Sequence, residues 1–229
     1  MDDLKVFIGW DPREVEAYEV CRASILEHSP NTSITPIIKD QLWEYTREDI
    51  NATSEFTLTR FFVPFLSQYE GLSLFMDCDI LCTTDIRNIL NEVDPNHMVS
   101  CIKHDYIPKS NTKMDNQVQS VYPRKNWSSV MVFNNEKCKI LSPDIVNNST
   151  PSYLHRFKWA SDHAIGFLPH TWNYLVGYYD DIELPSLIHY TDGGPWFDNY
   201  KDCDFAKEWI DKYEEINISG VFGRKKQPV

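Results

Sequence analysis

The chain is short of positive charge: 22 lysines and arginines stand against 34 aspartates and glutamates, for a formal net charge of −12. That balance argues against a nucleic-acid groove, which needs a basic face to neutralise phosphates. The one basic cluster, Arg224-Lys225-Lys226, falls in a C-terminal stretch with Gly223 and Pro228 and reads as a flexible tail over 219–229. No run approaches the roughly 18 apolar residues of a membrane span, and the first residues carry no secretory signal. A soluble, cytoplasmic chain without a transmembrane segment is expected. The six cysteines (21, 78, 82, 101, 138, 203) lack zinc-site pairing, because Cys78 and Cys82 have no second pair after them. Cys78, Cys82 and Cys101 lie in or beside apolar runs and suit buried, reduced thiols. There is no internal repeat, no low-complexity linker and no composition shift that marks a boundary. A single domain over 1–229 is expected.

The order of elements is more informative. Lys5 to Trp10 reads as a first strand, and Asp11-Pro12-Arg13-Glu14 follows as a helix start with Asp as N-cap and Pro at the first helical position. Tyr18, Cys21 and Ile25 continue at helical spacing until Ser29-Pro30. Ser33 to Ile38 reads as a second strand, with Pro36 favouring an edge or a bulge. Phe56 to Leu66 is an apolar helical segment interrupted by Pro64, and Met98–Ile102 and Val130–Phe133 are further strands. In the second half, Ser161 can cap a short helix through Leu168, and Ser186 to Tyr190 reads as a late strand. Phe205, Trp209, Ile210 and Tyr213 form the apolar face of a closing helix. Strand alternating with helix implies an α/β domain with a mostly parallel, doubly wound sheet.

Phe75-Met76-Asp77-Cys78-Asp79-Ile80-Leu81 holds the central chemical signal. An apolar strand ends there, and two carboxylates stand at i and i+2, where extended side chains point the same way. Two such oxygens suit a hard cation, Mn²⁺ or Mg²⁺. Carboxylates flanked by apolar residues are costly to bury without one.

With that motif in place, the chain resembles the nucleotide-sugar glycosyltransferases of the GT-A fold, and most nearly glycosyltransferase family 8 (the glycogenin and lipopolysaccharide galactosyltransferase group). Four segments in the family's order carry the resemblance: Thr57 to Leu66, Leu74 to Leu81, Trp127 to Asn134, and Ser161-Asp162-His163 together with His189 to Trp196. It implies a single Rossmann-like GT-A domain, with a nucleotide-binding half over 1–105 and an acceptor-side half over 106–218. It also implies a metal held by Asp77, Asp79 and His189.

The implied nucleotide-sugar site comprises Ile8, Gly9, Trp10, Asp11, Arg60, Asp77, Cys78, Asp79, Ser128, Ser129, Gly193, Gly194 and Trp196. The implied catalytic groups are Asp162, His163 and Arg60, with the Arg fork suited to phosphate oxygens. The chain departs from the pattern at Gly194, where the family carries a phosphate-neutralising Lys, at Trp127 in place of an amide, and at His163 in place of a neutral amide. Arg60, Lys158 or Lys201 would have to replace the missing cation.

The implied activity is metal-dependent, retaining transfer of a hexose from a UDP-sugar to a glycan or other hydroxyl acceptor. Two readings compete with it. A sugar nucleotidyltransferase should carry a Gly-rich basic loop after the first strand, and Gly9-Trp10-Asp11-Pro12-Arg13 is a poor one. A non-catalytic carbohydrate- or metal-binding module would use the carboxylates structurally. Tyr153, Trp159, Trp172 and Tyr174 could stack on an acceptor sugar, although scattered aromatics are usually core.

Overall fold

A computed structural model describes residues 4–48, 53–105, 123–180 and 182–218; the expected tail at 219–229 lies outside them. The main sheet contains β1 (Lys5–Gly9), β2 (Ile34–Ile37), β3 (Leu72–Met76), β5 (Val99–Cys101), β6 (Val130–Asn134) and β7 (Ile165–Phe167), in the order β2-β1-β3-β6-β5-β7. Only β6 runs against the others, so the sheet is mostly parallel as expected. A second sheet places β9 (Leu187–His189) between β4 (Ile80–Cys82) and β8 (Tyr174–Leu175). The α-helices among the described residues are α1 (Val15–His28), α2 (Val63–Leu66), α3 (Pro143–Asn148), α4 (Pro151–His155) and α5 (Ala206–Ile218). No helix among the described residues is long and apolar enough to cross a membrane.

The apolar strands are buried because the sheet is covered on both faces: Val6, Ile8, Leu74, Phe75, Met76, Val130 and Phe133 belong to one cluster of buried side chains that runs from Leu4 to Leu187. Phe133 and Phe157 each stack on Trp159, and Phe61 meets His155 and Trp159 edge-on. A second cluster ties α5 to α1 and β9 through Val20, Ile188, Tyr190, Trp209 and Ile216. The polar Ser73 inside β3 is satisfied by Ser67 Oγ at 2.7 Å and by the Asn135 amide at 2.8 Å. All six cysteines are free thiols, and burial pushes Cys82 and Cys101 up to about 12.

Several expectations are corrected. The helix after β1 begins at Val15 with Glu14 in the capping position, not at Pro12. Asp11 instead caps the intervening turn: its carboxylate accepts from the Arg13 backbone N–H and guanidinium and from the Glu55 N–H. Pro64 does not interrupt a helix. It stands in the first turn of α2, after a 3₁₀ turn over Thr59–Phe62, where its missing N–H costs nothing. Residues after Ser161 form only a 3₁₀ turn (Asp162–Ala164) before joining the sheet as β7. Ile210 faces outward, leaving Phe205, Trp209 and Tyr213 to the second cluster. Trp159, Trp172 and Tyr174 are core side chains, and Tyr153 packs partly buried against the core. Pro36 does lie in an edge strand, as its missing donor requires.

Candidate active site

The apolar strand ends at Met76, as expected, and a second strand in the other sheet starts at Ile80. Asp77-Cys78-Asp79 is the crossover from β3 to β4, and each end is held by backbone bonds. Asp77 N–H donates to Ser129 O at 2.9 Å, extending the β3–β6 ladder, and Tyr190 N–H donates to Asp79 O at 3.0 Å. The β4–β9 register sets Ile80 opposite His189 and so delivers the imidazole beside Asp79. Ligand atoms of Asp77, Asp79 and His189 all lie within 4.8 Å of one another. The parallel pairing of β1 with β3 ends at Ile8↔Met76 and brings the Gly9-Trp10-Asp11 turn to the same sheet edge. That edge is the carboxyl end of the strands, where open α/β sheets bind ligands.

Arg60 is nearly buried beneath this crossover. Its Nη1 stands 2.9 Å from Asp77 Oδ1 and donates to Ser128 O at 2.8 Å, while Nε donates to Phe56 O at 3.2 Å. The guanidinium packs against both the Phe56 and Phe75 rings, 5.4 and 4.9 Å from their centroids. Cys78, fully buried between the two aspartates, has its Sγ 3.9 Å from Glu14 Oε2; burial, then the Glu14 charge, raises its pKa well above the usual thiol value. The hydroxyls of Ser128 and Ser129 are both engaged within the protein, the first with His155 Nδ1 at 2.9 Å, the second donating to Asn126 O at 2.7 Å.

The other expected residues divide into two groups. Ile8 is fully buried, and Gly9 is where the Phe56 ring would collide with any Cβ. Gly193 holds φ +138°, a conformation that favours glycine, and the Trp196 ring fills the space where Gly194 would carry a side chain. Asp162 and His163 are not drawn into the Asp77–His189 cluster. Asp162 is largely exposed and meets Arg124 Nη2 at 2.5 Å, and His163 Nε2 is 3.2 Å from Ser161 Oγ. Arg124 also donates to Arg156 O and lies over the Trp127 ring, which connects the Asp162 turn to the Trp127–Ser129 turn. Lys201, one of the proposed replacement cations, pairs with Asp198 at the surface.

Sequence reading missed a polar group behind the cluster: Asn173, fully buried, with His104 and Asn126 beside it. Its signal was a single amide within the aromatic run Trp172-Asn173-Tyr174, which a buried site can hold only with hydrogen-bond partners.

Two buried imidazoles give the fold a pH signature. Burial drives His155 down to about 3, with the nearby Arg60 charge adding to it, and burial drives His104 down to about 3 as well. An unfolded chain protonates both near pH 6.5. Unfolding therefore takes up about two protons between roughly pH 6.5 and 3, and stability falls as pH falls through that window by about 1.4 kcal/mol per unit and imidazole. Denaturant titrations should show a loss of about 3–4 kcal/mol between pH 7 and 5. His155→Phe should remove about half of that slope; an unchanged slope would show that His155 takes up protons in the folded state.

The six-stranded sheet with its acidic crossover is the GT-A fold found in glycosyltransferases. The galactosyltransferase LgtC, solved in complex with donor and acceptor sugar analogues, superposes with a TM-score of 0.55 at 11% identity, over 93% of this chain and 96% of LgtC. The glycosyltransferase GlyE of Streptococcus pneumoniae TIGR4 gives 0.57 at 16% identity, over 99% of this chain. The chain spans about two thirds (66%) of GlyE's length. No family model matches the sequence. The chain belongs to the family of Protein CDI of Arabidopsis thaliana, to which it is 46% identical over 226 residues, 93% of this chain and 87% of that protein.

Proposed function

We propose that the chain is a metal-dependent, retaining glycosyltransferase that moves a hexose from a UDP-sugar to a hydroxyl of a glycan acceptor. The observation that carries this reading is the meeting of Asp77, Asp79 and His189 at the carboxyl ends of a GT-A sheet. Two carboxylates and one imidazole form a donor set suited to Mn²⁺, with Mg²⁺ the alternative. The residues present fit such an ion, since His189 and Asp79 are buried and Asp77 is only slightly exposed. When bound, the ion would act as a Lewis acid on the diphosphate, an effect worth several kcal/mol for a leaving group that gains charge.

The chain's own groups then divide the remaining work. Gly9, Trp10 and Asp11 border the nucleotide side, with the Asp11 carboxylate stiffening that turn through Arg13 and Glu55. Arg60 orients Asp77 through Nη1; its Nη2, which has no protein partner among the described residues, is the donor left to reach a phosphate oxygen. Asp162, exposed and paired with Arg124, would be the carboxylate that steadies positive charge at the anomeric carbon, with His163 next to it. The departing phosphate accepts the acceptor's proton on the same face, so no protein base opposite the leaving group is required.

Calorimetry of UDP binding with and without Mn²⁺, followed by a screen of UDP-sugars for metal-dependent hydrolysis, tests the reading. Micromolar UDP affinity that disappears on chelation is expected, and an α-linked product from an α-configured donor by proton NMR. UDP affinity indifferent to Mn²⁺ would instead favour a binding module, and a β-linked product would end the retaining assignment.

A further inference from the structure

His189 is aimed by a chain of hydrogen bonds whose direction can be read link by link. Ser129 Oγ gives its only proton to Asn126 O at 2.7 Å, so at 2.8 Å from Asn173 it can only accept. The Asn173 atom facing Ser129 is therefore the amide nitrogen, which also donates to His104 Nε2 at 2.9 Å. That leaves Asn173 Oδ1 as an acceptor facing His189 Nδ1 at 2.8 Å, so His189 must carry a proton on Nδ1. The lone pair of a neutral imidazole is then on Nε2, which stands 3.3 Å from Asp79 Oδ1 in the cluster with Asp77. Asn126 closes the arrangement from the other side, with its amide donating to Thr191 Oγ1 at 3.1 Å, two residues beyond His189.

We propose that Asn173 is the positioning residue of this centre: it fixes the tautomer and the ring orientation of His189, and Ser129 fixes which way the Asn173 amide faces. The inference rests on the metal reading of Asp77, Asp79 and His189. A side-chain amide in this role does what carboxylates and backbone carbonyls do behind metal-bound histidines elsewhere, while adding no further negative charge behind two aspartates. Its two amide protons both go to acceptors, so the amide cannot flip without setting Oδ1 against the Ser129 and His104 lone pairs.

Three measurements on the full chain decide it. In Mn²⁺ calorimetry in the presence of UDP, Asn173→Leu, close in volume, is expected to weaken metal affinity about ten- to a hundredfold. Asn173→Asp, which keeps an acceptor for the Nδ1 proton but sets an oxygen against Ser129 and His104, is expected to recover part of that loss. A Leu variant with wild-type affinity, when His189→Ala has lost it, overturns the positioning role and leaves the metal site standing. If His189→Ala also binds Mn²⁺ normally, the metal reading falls and this inference falls with it. The third measurement needs neither a variant nor a metal: nitrogen NMR of the ¹⁵N-histidine-labelled, metal-free wild-type chain should find a proton on His189 Nδ1. A proton held solely on Nε2 overturns the proposal even if the Leu variant fails to fold.

Discussion

Asp79→Asn should keep the fold and lose metal-dependent UDP binding. The substitution is nearly isosteric, and the new amide can donate to the His189 Nε2 that now lies 3.3 Å from the carboxylate, so the buried pocket remains satisfied. What disappears is one of two anionic ligands held together at the β3–β4 crossover. Because a bound cation contributes several kcal/mol at a developing phosphate charge, and each 1.4 kcal/mol is a factor of ten, turnover should fall by about 100-fold or more. Calorimetry should show Mn²⁺ and Mn²⁺-UDP affinities reduced together while the unfolding midpoint in metal-free buffer stays near that of the wild type. Asp77→Asn should lose metal affinity similarly but also cost stability, because Asp77 is the partner of the buried Arg60. Wild-type Mn²⁺-UDP affinity in Asp79→Asn would remove the metal from the reading of this site.

Five of the six strands of the main sheet, all but β7, were legible as runs rich in apolar or β-branched residues. The acidic triplet was legible because two carboxylates at i and i+2 interrupt such a run. His189 could be placed only through its family-like neighbours, since the contact with Asp79 comes from a register between β4 and β9 that no local pattern encodes. The same limit hid Asn173, 16 residues from His189 in sequence and 2.8 Å from it in space. Local signals also misled where tertiary packing overrode them. Asp11-Pro12 reads as a helix start, yet the Asp11 carboxylate is drawn to Glu55 N–H and Arg13, which delays the helix to Val15. Ser161-Asp162 reads as an N-cap, yet Ile165–Phe167 pairs in parallel with Val99–Cys101, and the ladder ends the helix after one turn. Helix propensity over so few residues is a weak preference that a strand pairing outweighs.

Arg60→Met should be among the most damaging single changes in the chain, for a reason separate from any contact with substrate. The methionine retains most of the apolar stem against Phe56 and Phe75 but removes the donors that serve Phe56 O and Ser128 O and the charge paired with Asp77. Removing one member of a buried ion pair costs about 3–5 kcal/mol, and the slight exposure of Asp77 points to the lower end. Ser128 O adds to that cost, because a buried carbonyl loses its donor. Arg60→Lys keeps the charge without the planar fork, so it can hold one of the three partners and should recover only part of the loss. Since the missing charge faces the Asp77–Asp79 pair, a divalent cation bound there would replace part of it. The Arg60→Met deficit should therefore shrink when Mn²⁺ is added, whereas a deficit caused by lost packing would not respond. Denaturant titrations of wild type, Arg60→Lys and Arg60→Met, each with and without Mn²⁺, separate the two. A loss below about 1 kcal/mol in Arg60→Met, the size of an exposed ion pair, would mean that Arg60 does not hold Asp77 in place.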